Sequence, residues 1–264
     1  MDVGKMLKLI VSSTLRHKIL FALSSGPKAL GELQKIIGST KSSISHSLND
    51  LEEENLITQD PDTKKYMLTN TGYLTYLQMA RLVDTLETVK NFEEFWLNHD
   101  LSGIPVEFLE RIGDLKDSQL YITPPEHLTL PHEAYMKLVK TSKWIKGVSP
   151  ILFSDYPKAF MELASTKNVD IEIITTRAVY EKLIELAPPE AVELVKDLPN
   201  VKIYILEENP KVAFTVTNNF LSFGLFFPDG RYDMMADLIS NSEKARKWGI
   251  ALFQYYKEKA KRVL

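Results

Sequence analysis

ALGELQKIIGSTKSSISHSLNDLEEENLITQDPDTKKYMLTNT, residues Ala29–Thr71, is the stretch whose reading decides the fold of the first part of this chain. Leu30, Leu33 and Ile36 or Ile37 recur on one side of a short helix, and Gly38 is its stop. A second helix is expected to start at once, with Thr40 as N-cap and Ile44, Leu48 and Leu51 spaced to face a core. Its opposite side carries Ser42, Ser45, His46 and Asn49, all short enough to let a helix approach base edges in a major groove, with Lys41 at the entrance suited to a phosphate. Leu56–Thr58 and Tyr66–Leu68 predict two short strands around a polar turn, a wing that offers Lys64 and Lys65 to the DNA backbone. Charge alone does not point to nucleic acid. Residues 1–78 hold nine Lys or Arg against eight Asp or Glu, a net of about +1, so any basic surface must be local. Glu52-Glu53-Glu54 is expected to be a solvated helix end.

Working outward, Thr69 is a plausible N-cap for a long helix with Leu74, Leu77, Leu82, Leu86, Val89 and Trp96 near one stripe, running to about Asn98. Such a stripe suits either the same helix in a second copy or the chain's own second half; self-association is favoured, because a dimer presents two reading helices to a pseudo-palindromic site. HDLSGIP (99–105) breaks the pattern and marks a boundary, so the expected domains are 1–70, a linker or dimerisation helix over 71–99, and 100–264.

The second half alternates between element types. Strands are expected at 119–123, 144–150, 169–175 and 201–206, with helices at 133–141, 156–165 and 176–196, the last broken at Pro188-Pro189. That rhythm predicts an α/β domain with a largely parallel sheet. Residues 212–216 and 220–226 flank Asn218-Asn219 as an antiparallel hairpin, a polar loop follows over 228–233, and Ser240 with Glu243 reads as a capping box for the last helix.

Length permits two domains, 44% hydrophobic and 25% charged is a globular composition, and the net charge of −3 argues against indiscriminate binding to polyanions or membranes. With no Cys, disulfides, thiolate metal sites and thiol catalysis are excluded. No run approaches about 18 apolar residues, and no segment reads as a signal peptide; a soluble cytoplasmic protein without membrane partners is the expectation.

The run from Ser12 to Gly72, SSTLRHKILFALSSGPKALGELQKIIGSTKSSISHSLNDLEEENLITQDPDTKKYMLTNTG, resembles the ArsR/MarR-type winged-helix repressors, whose corresponding helix reads the groove. The remainder is similar to archaeal methanogenesis-regulatory proteins, on GIPVEFLERIGDLKDSQL (103–120), VDIEIITT (169–176), VKIYIL (201–206) and FGLFFPDGRYDMMADLISNSEKARKWGIALFQYYKEKA (223–260). The resemblance implies an effector domain of phospholipase D-like architecture. That enzyme's H-x-K-x-x-x-x-D spacing occurs at none of His17, His46, His99, His127 or His132, so the domain is read as catalytically degenerate and the protein as a non-enzyme. Near His127 and His132 no HExxH pattern supports a metal, and neither a cofactor loop nor a catalytic residue is found.

The fold class expected is α+β: an N-terminal winged helix-turn-helix, a long linker helix and a C-terminal α/β effector domain. The function expected is a homodimeric regulator that binds double-stranded DNA and senses a small ligand. Thr175, Arg177, Arg231 and Tyr232, beyond the carboxyl ends of the strands, are its candidate contacts, the arginines for an anionic metabolite. The alternatives are a protein-binding adaptor that uses the winged helix, or an enzyme with an unrecognised site.

Overall fold

In the computed structural model, residues 3–123, 130–152, 161–165 and 169–264 are described. The chain divides into two compact units, Met1–Val83 and Asp84–Leu264. Among the described residues no helix is long and apolar enough to cross a membrane.

The first unit is helical with one small hairpin: α1 (Val3–Val11), α2 (Thr14–Ser24), α3 (Leu30–Ile37), α4 (Lys41–Glu53), β1 (Ile57–Gln59) and β2 (Tyr66–Leu68). Gly38 ends α3 in the left-handed conformation, φ +71°, which a Cβ would strain. Thr40 caps α4 by accepting from the Ser43 N–H. Ile44, Leu48 and Leu51 are fully buried against Ile19, Leu20 and Leu33, while Ile37 packs on this core and Ile36 is 59% exposed. The 3.6-residue repeat thus seats one side of α3 and one side of α4 in a single core. β1 pairs antiparallel with β2, and Lys28 and Tyr66 exchange backbone hydrogen bonds, so a one-residue third strand, which the spacing did not predict, ties the hairpin to the start of α3.

At the triple-glutamate end of α4, Glu52 and Glu53 are exposed as expected and Glu54 is not. Glu54 is 6% exposed and paired with Lys5 at 2.5 Å, because α1, a helix not foreseen in the sequence, lies against it. Glu52 accepts from the Gln59 N–H.

Helix α5 (Asn70–Asn91) starts where Thr69 accepts from the Gly72 N–H. It ends earlier than expected, and a separate helix α6 (Glu93–Asn98) follows. At the break Phe92 leaves helical geometry, φ −121° and ψ 31°, and both Phe92 and Phe95 enter the core of the second unit. One straight helix keeps a single stripe; the break gives the chain a second burial direction.

The second unit adds α7 (Val106–Leu109), β3 (Gln119–Ile122), α8 (Leu130–Val139), β4 (Trp144–Val148), β5 (Asp170–Thr176), α9 (Arg177–Leu186), α10 (Pro189–Lys196), β6 (Val201–Leu206), β7 (Val212–Thr217), β8 (Leu221–Leu225), β9 (Ala236–Ser240), α11 (Glu243–Lys259) and β10 (Lys261–Arg262). The strands form one sheet in the order β10-β6-β5-β4-β7-β8-β9-β3. The expected largely parallel sheet is a mixed one: among the described strands only β4, β5 and β6 run parallel. Parallel neighbours need a long crossover, and α9 and α10 provide one between β5 and β6, whereas β7, β8 and β9 follow one another through loops. Of the helix expected at 156–165, residues 161–165 are helical and the rest lies outside the described residues.

The two faces of this sheet are filled differently. One packs Phe214, Val216, Leu221, Phe223 and Leu238 against Trp248, Leu252 and Phe253 of α11. The other packs Ile145, Ile171, Phe220 and Ile239 against Tyr135 and Val139 of α8. α11 is capped by Ser242, which accepts from the Ala245 N–H, and not by Ser240; Ser240 is the last residue of β9 and accepts from the Ser242 N–H.

Candidate nucleic-acid interface

The burial of Ile44, Leu48 and Leu51 fixes what α4 presents to solvent. Lys41, Ser42, His46 and Asn49 are exposed and Ser45 is half-buried, so these five residues lie on the face turned from the core. They carry a cation at the helix start and hydrogen-bonding groups with short side chains along the helix, the composition suited to a groove lined by phosphates.

Glu53, a turn after Asn49, is exposed on this face, and Asp50 stands a turn beyond His46, with its carboxylate 4.0 Å from the ring. Arg16 neutralises Asp50: Nε and Nη2 both donate to Oδ2, at 3.2 and 2.8 Å, while Nη1 donates to the Leu9 carbonyl at 2.8 Å. This arginine, which the sequence reading passed over, joins α1, α2 and α4 and screens the exposed face from a carboxylate. Replacing Arg16 by Ala should cost about 1–3 kcal/mol of stability because a half-buried carboxylate loses its partner, and a duplex docked on this face would be held several-fold less tightly whatever its sequence. Parallel duplex titration and urea unfolding measure the two effects; intact affinity in the variant would remove Arg16 from the electrostatics of this face.

The hairpin turn is organised by another residue the sequence reading left unassigned. Asp60 Oδ1 accepts from the N–H groups of Asp62 and Thr63 and from the Thr63 hydroxyl, and those bonds hold its carboxyl below the usual range. Asp60 also closes the loop through its backbone, its N–H bonding Lys65 O and its carbonyl accepting from Lys64 N–H. Lys64 is consequently held at φ +54°, and both Lys64 and Lys65 are exposed. Lys41, at one end of α4, and Lys64 and Lys65, at the tip of a stiff turn, are the phosphate-contact candidates of this unit.

In the second unit the four candidate ligand contacts are placed separately. Arg177, exposed at the start of α9, donates to Glu207 at 2.8 Å, and Arg231 donates to Asp229 at 2.8 Å while lying over the Phe227 ring. An anion would have to displace an acid from each. Thr175 is buried, with its hydroxyl on the Ser149 carbonyl at 2.7 Å. Tyr232 packs edge-on against Phe226 and lies across Gly224, with its hydroxyl 2.2 Å from where a Cβ would stand. No described contact joins the two arginines.

The loop between β8 and β9 is fastened to the end of α6 by groups far apart in sequence. Asp100 N–H donates to Phe226 O at 2.8 Å, and the Phe227 ring stacks on His99 with centroids 5.0 Å apart. His99 is buried, its Nδ1 2.6 Å from the Phe95 carbonyl and its Nε2 3.1 Å from Asp233 Oδ2. A carbonyl only accepts, so Nδ1 carries the hydrogen there; a further hydrogen lies between Nε2 and the carboxyl group. Asp233 Oδ1 accepts from the Met235 N–H at 2.8 Å. His132 and His127, considered above for a metal, lie outside the described side chains; among the described residues no group of three His, Asp or Glu could hold a metal ion.

Two family profiles match the chain: the N-terminal domain of the methanogenesis regulatory protein FilR1 over residues 4–87, and its middle domain over residues 128–259. The chain is 30% identical over 262 residues to the methanogenesis regulatory protein FilR1 of Methanothrix harundinacea (strain 6Ac), covering 98% of this chain and 58% of that protein. It therefore spans somewhat over half the length of the curated relative it matches. Among solved structures it is similar to TrmBL2, an archaeal chromatin protein (15% identity, TM-score 0.45, 98% of both chains), and to Nuc of Salmonella typhimurium, a phospholipase D family member (12% identity, TM-score 0.39, 55% of this chain and 96% of that one).

Proposed function

The chain belongs to the family of the methanogenesis regulatory protein FilR1, and from that membership we propose that it is a transcription regulator that binds double-stranded DNA. The observation that carries the DNA reading is the exposed polar face of α4, whose Asp50 is paired with Arg16, with Lys41 at one end and Lys64 and Lys65 on the hairpin that follows. In this reading residues 1–70 are a winged helix-turn-helix of the ArsR/MarR type, α4 enters the major groove and the hairpin rests on the adjoining backbone.

Lys41, Lys64 and Lys65 act as phosphate contacts, and Ser42, Ser45, His46 and Asn49 meet base edges. Replacing the three lysines together by Ala is expected to lower affinity for operator and random duplex alike, and to reduce the slope of log K against log salt by about 3, close to one unit per phosphate contact. Replacing Ser45, His46 or Asn49 should change which duplex is preferred, by about 1–3 kcal/mol for a lost base contact. Fluorescence anisotropy with duplex from upstream of the gene and a scrambled duplex, at several salt concentrations, reads both. Binding unaffected by salt would overturn the DNA reading in favour of a protein partner.

The regulator works as a homodimer in the cytoplasm. Leu74, Leu82, Leu86 and Val89 leave an exposed apolar stripe on α5 that suits a second copy, and sedimentation of the Leu82→Glu variant as a monomer is the expected check. Its second unit, which lacks the nucleophile spacing of phospholipase D chemistry, senses a ligand instead of turning one over. A ligand shifts DNA affinity only as far as it binds the two states of the protein differently.

A further inference from the structure

The face of the sheet that α8 covers is apolar at one end and polar at the other. Register places the side chains of Thr215 and Ser222 opposite each other on β7 and β8, and those of Tyr121 and Asp237 opposite each other on β3 and β9. Ser222 lies opposite Ile239, two residues from Asp237, so all of these point to the same side. Thr123, two residues past Tyr121, continues the ladder through its N–H to Met235 O and shares that side.

Two features of this cluster are unusual for a protein interior. The Asp237 carboxyl, on a half-buried residue, is held by neutral donors only, the Ser222 hydroxyl and the Phe223 N–H, and among the described residues no Lys, Arg or His lies against it. The Thr123 hydroxyl, on a residue 2% exposed, has no hydrogen-bond partner among the described residues. Buried carboxylates are ordinarily paired with a cation and buried hydroxyls ordinarily bonded. A water could satisfy the threonine but would leave the carboxylate without countercharge, and an anion would be repelled by it.

We propose that this face of the second unit binds a small molecule through a protonated amine, with the ammonium group on Asp237 and the Thr123 and Ser222 hydroxyls completing its contacts. An ammonium group brings three N–H donors and the missing positive charge, which fits an ionised carboxylate and oxygen acceptors. Burial pushes the empty carboxyl up to about 7, against the pull of Ser222 and Phe223, so amine binding in neutral solution releases a proton. Among the described residues the other titratable groups facing it are the phenols of Tyr121 on β3, Tyr135 on α8 and Tyr232 on the loop. Tyr135 is hydrogen-bonded to Thr215 at 2.9 Å, and burial raises its pKa further, so it stays protonated across the relevant range. The inference deepens the sensor reading of this unit and rests on it only for the regulatory consequence, not for the binding.

The test follows the Asp237 carboxyl carbon by NMR in the full chain labelled at aspartate, with the signal identified by its loss in Asp237→Asn. Its pH midpoint is compared with n-propylammonium chloride, sodium chloride or n-propanol at about 100 mM, enough to fill a weak site. The midpoint should fall by about one unit or more with propylammonium, a tenfold preference for the ionised site, and hold with the other two. Thr123→Val should shrink that shift while leaving the midpoint without amine in place. A midpoint that ignores propylammonium, or moves equally with sodium chloride or propanol, overturns the proposal. Duplex affinity is not read here, so failure of the DNA reading would leave this result standing.

Discussion

Replacing Asp233 by Ala should lower the stability of the second unit by about 2–5 kcal/mol, at about 1–3 kcal/mol for each of two buried groups left without a hydrogen-bond partner. The carboxylate does two jobs in a dry environment: Oδ2 meets His99 Nε2 and Oδ1 accepts the Met235 N–H. Its loss leaves both donors without a partner, and the His99 ring is held between Phe95 and Phe227, where water is not a ready substitute. Asp233→Asn should be far milder, since the amide oxygen can still take the Met235 N–H and the amide nitrogen can donate to Nε2 of a histidine protonated at Nδ1. Urea unfolding at neutral pH compares the two. An alanine variant within about 1 kcal/mol of the parent would show that the pair is not fastening the loop to α6.

Asp237→Asn should act in the opposite direction. In the folded chain the carboxyl titrates at about 7, against an unfolded value near 4. Between those values the folded protein holds a proton that the unfolded chain has lost, so stability falls as pH rises through the window from about 4 to about 7. A shift of that size corresponds to at most about 4 kcal/mol, and allowing for the partial exposure of the residue, about 2 kcal/mol is expected. The asparagine variant should lack that slope and be more stable than the parent at pH 8, by about the same amount. Glu172 and Asp100, both held at about 2, work in a separate window and with the reverse sign. Glu172 resists its desolvation through ion pairs with Lys146 and Lys257, and Asp100 is held by Ser102 and Lys211; both lose their contribution as pH falls below about 4. Parallel melting curves at pH 5 and pH 8 isolate the Asp237 effect, and equal pH slopes in parent and variant would sink it.

Much of the first unit was legible because its signals are local. A threonine three residues before the N–H it caps, a glycine at the left-handed end of α3, and isoleucine and leucines spaced by four and three residues each act within one or two turns. The break before Pro189 and the Asn218-Asn219 turn are local in the same sense. What failed depends on partners elsewhere. Glu54 looked like a solvated charge until α1 brought Lys5 to it, and Ser240 looked like a cap until β9, which no alternation announced, took that residue. The candidate interface divides in the same way. The exposed side of α4 followed from its buried side, while Arg16 and Asp60, which shape its charge and its turn, looked like ordinary surface residues. His99 with Asp233, and Thr123 with Asp237, carry no signature in sequence because only the sheet and its loops bring them together.

The left-handed backbone at Lys64 places two kinds of selection in competition. A residue with a Cβ costs roughly 1 kcal/mol or more there, and glycine would remove that strain. A population of variants screened for heat resistance alone should therefore drift toward glycine at position 64, and one screened for promoter occupancy should retain lysine. Sequencing both populations would show whether the cation at the tip of the hairpin is kept for what it touches, at the expense of the turn that carries it.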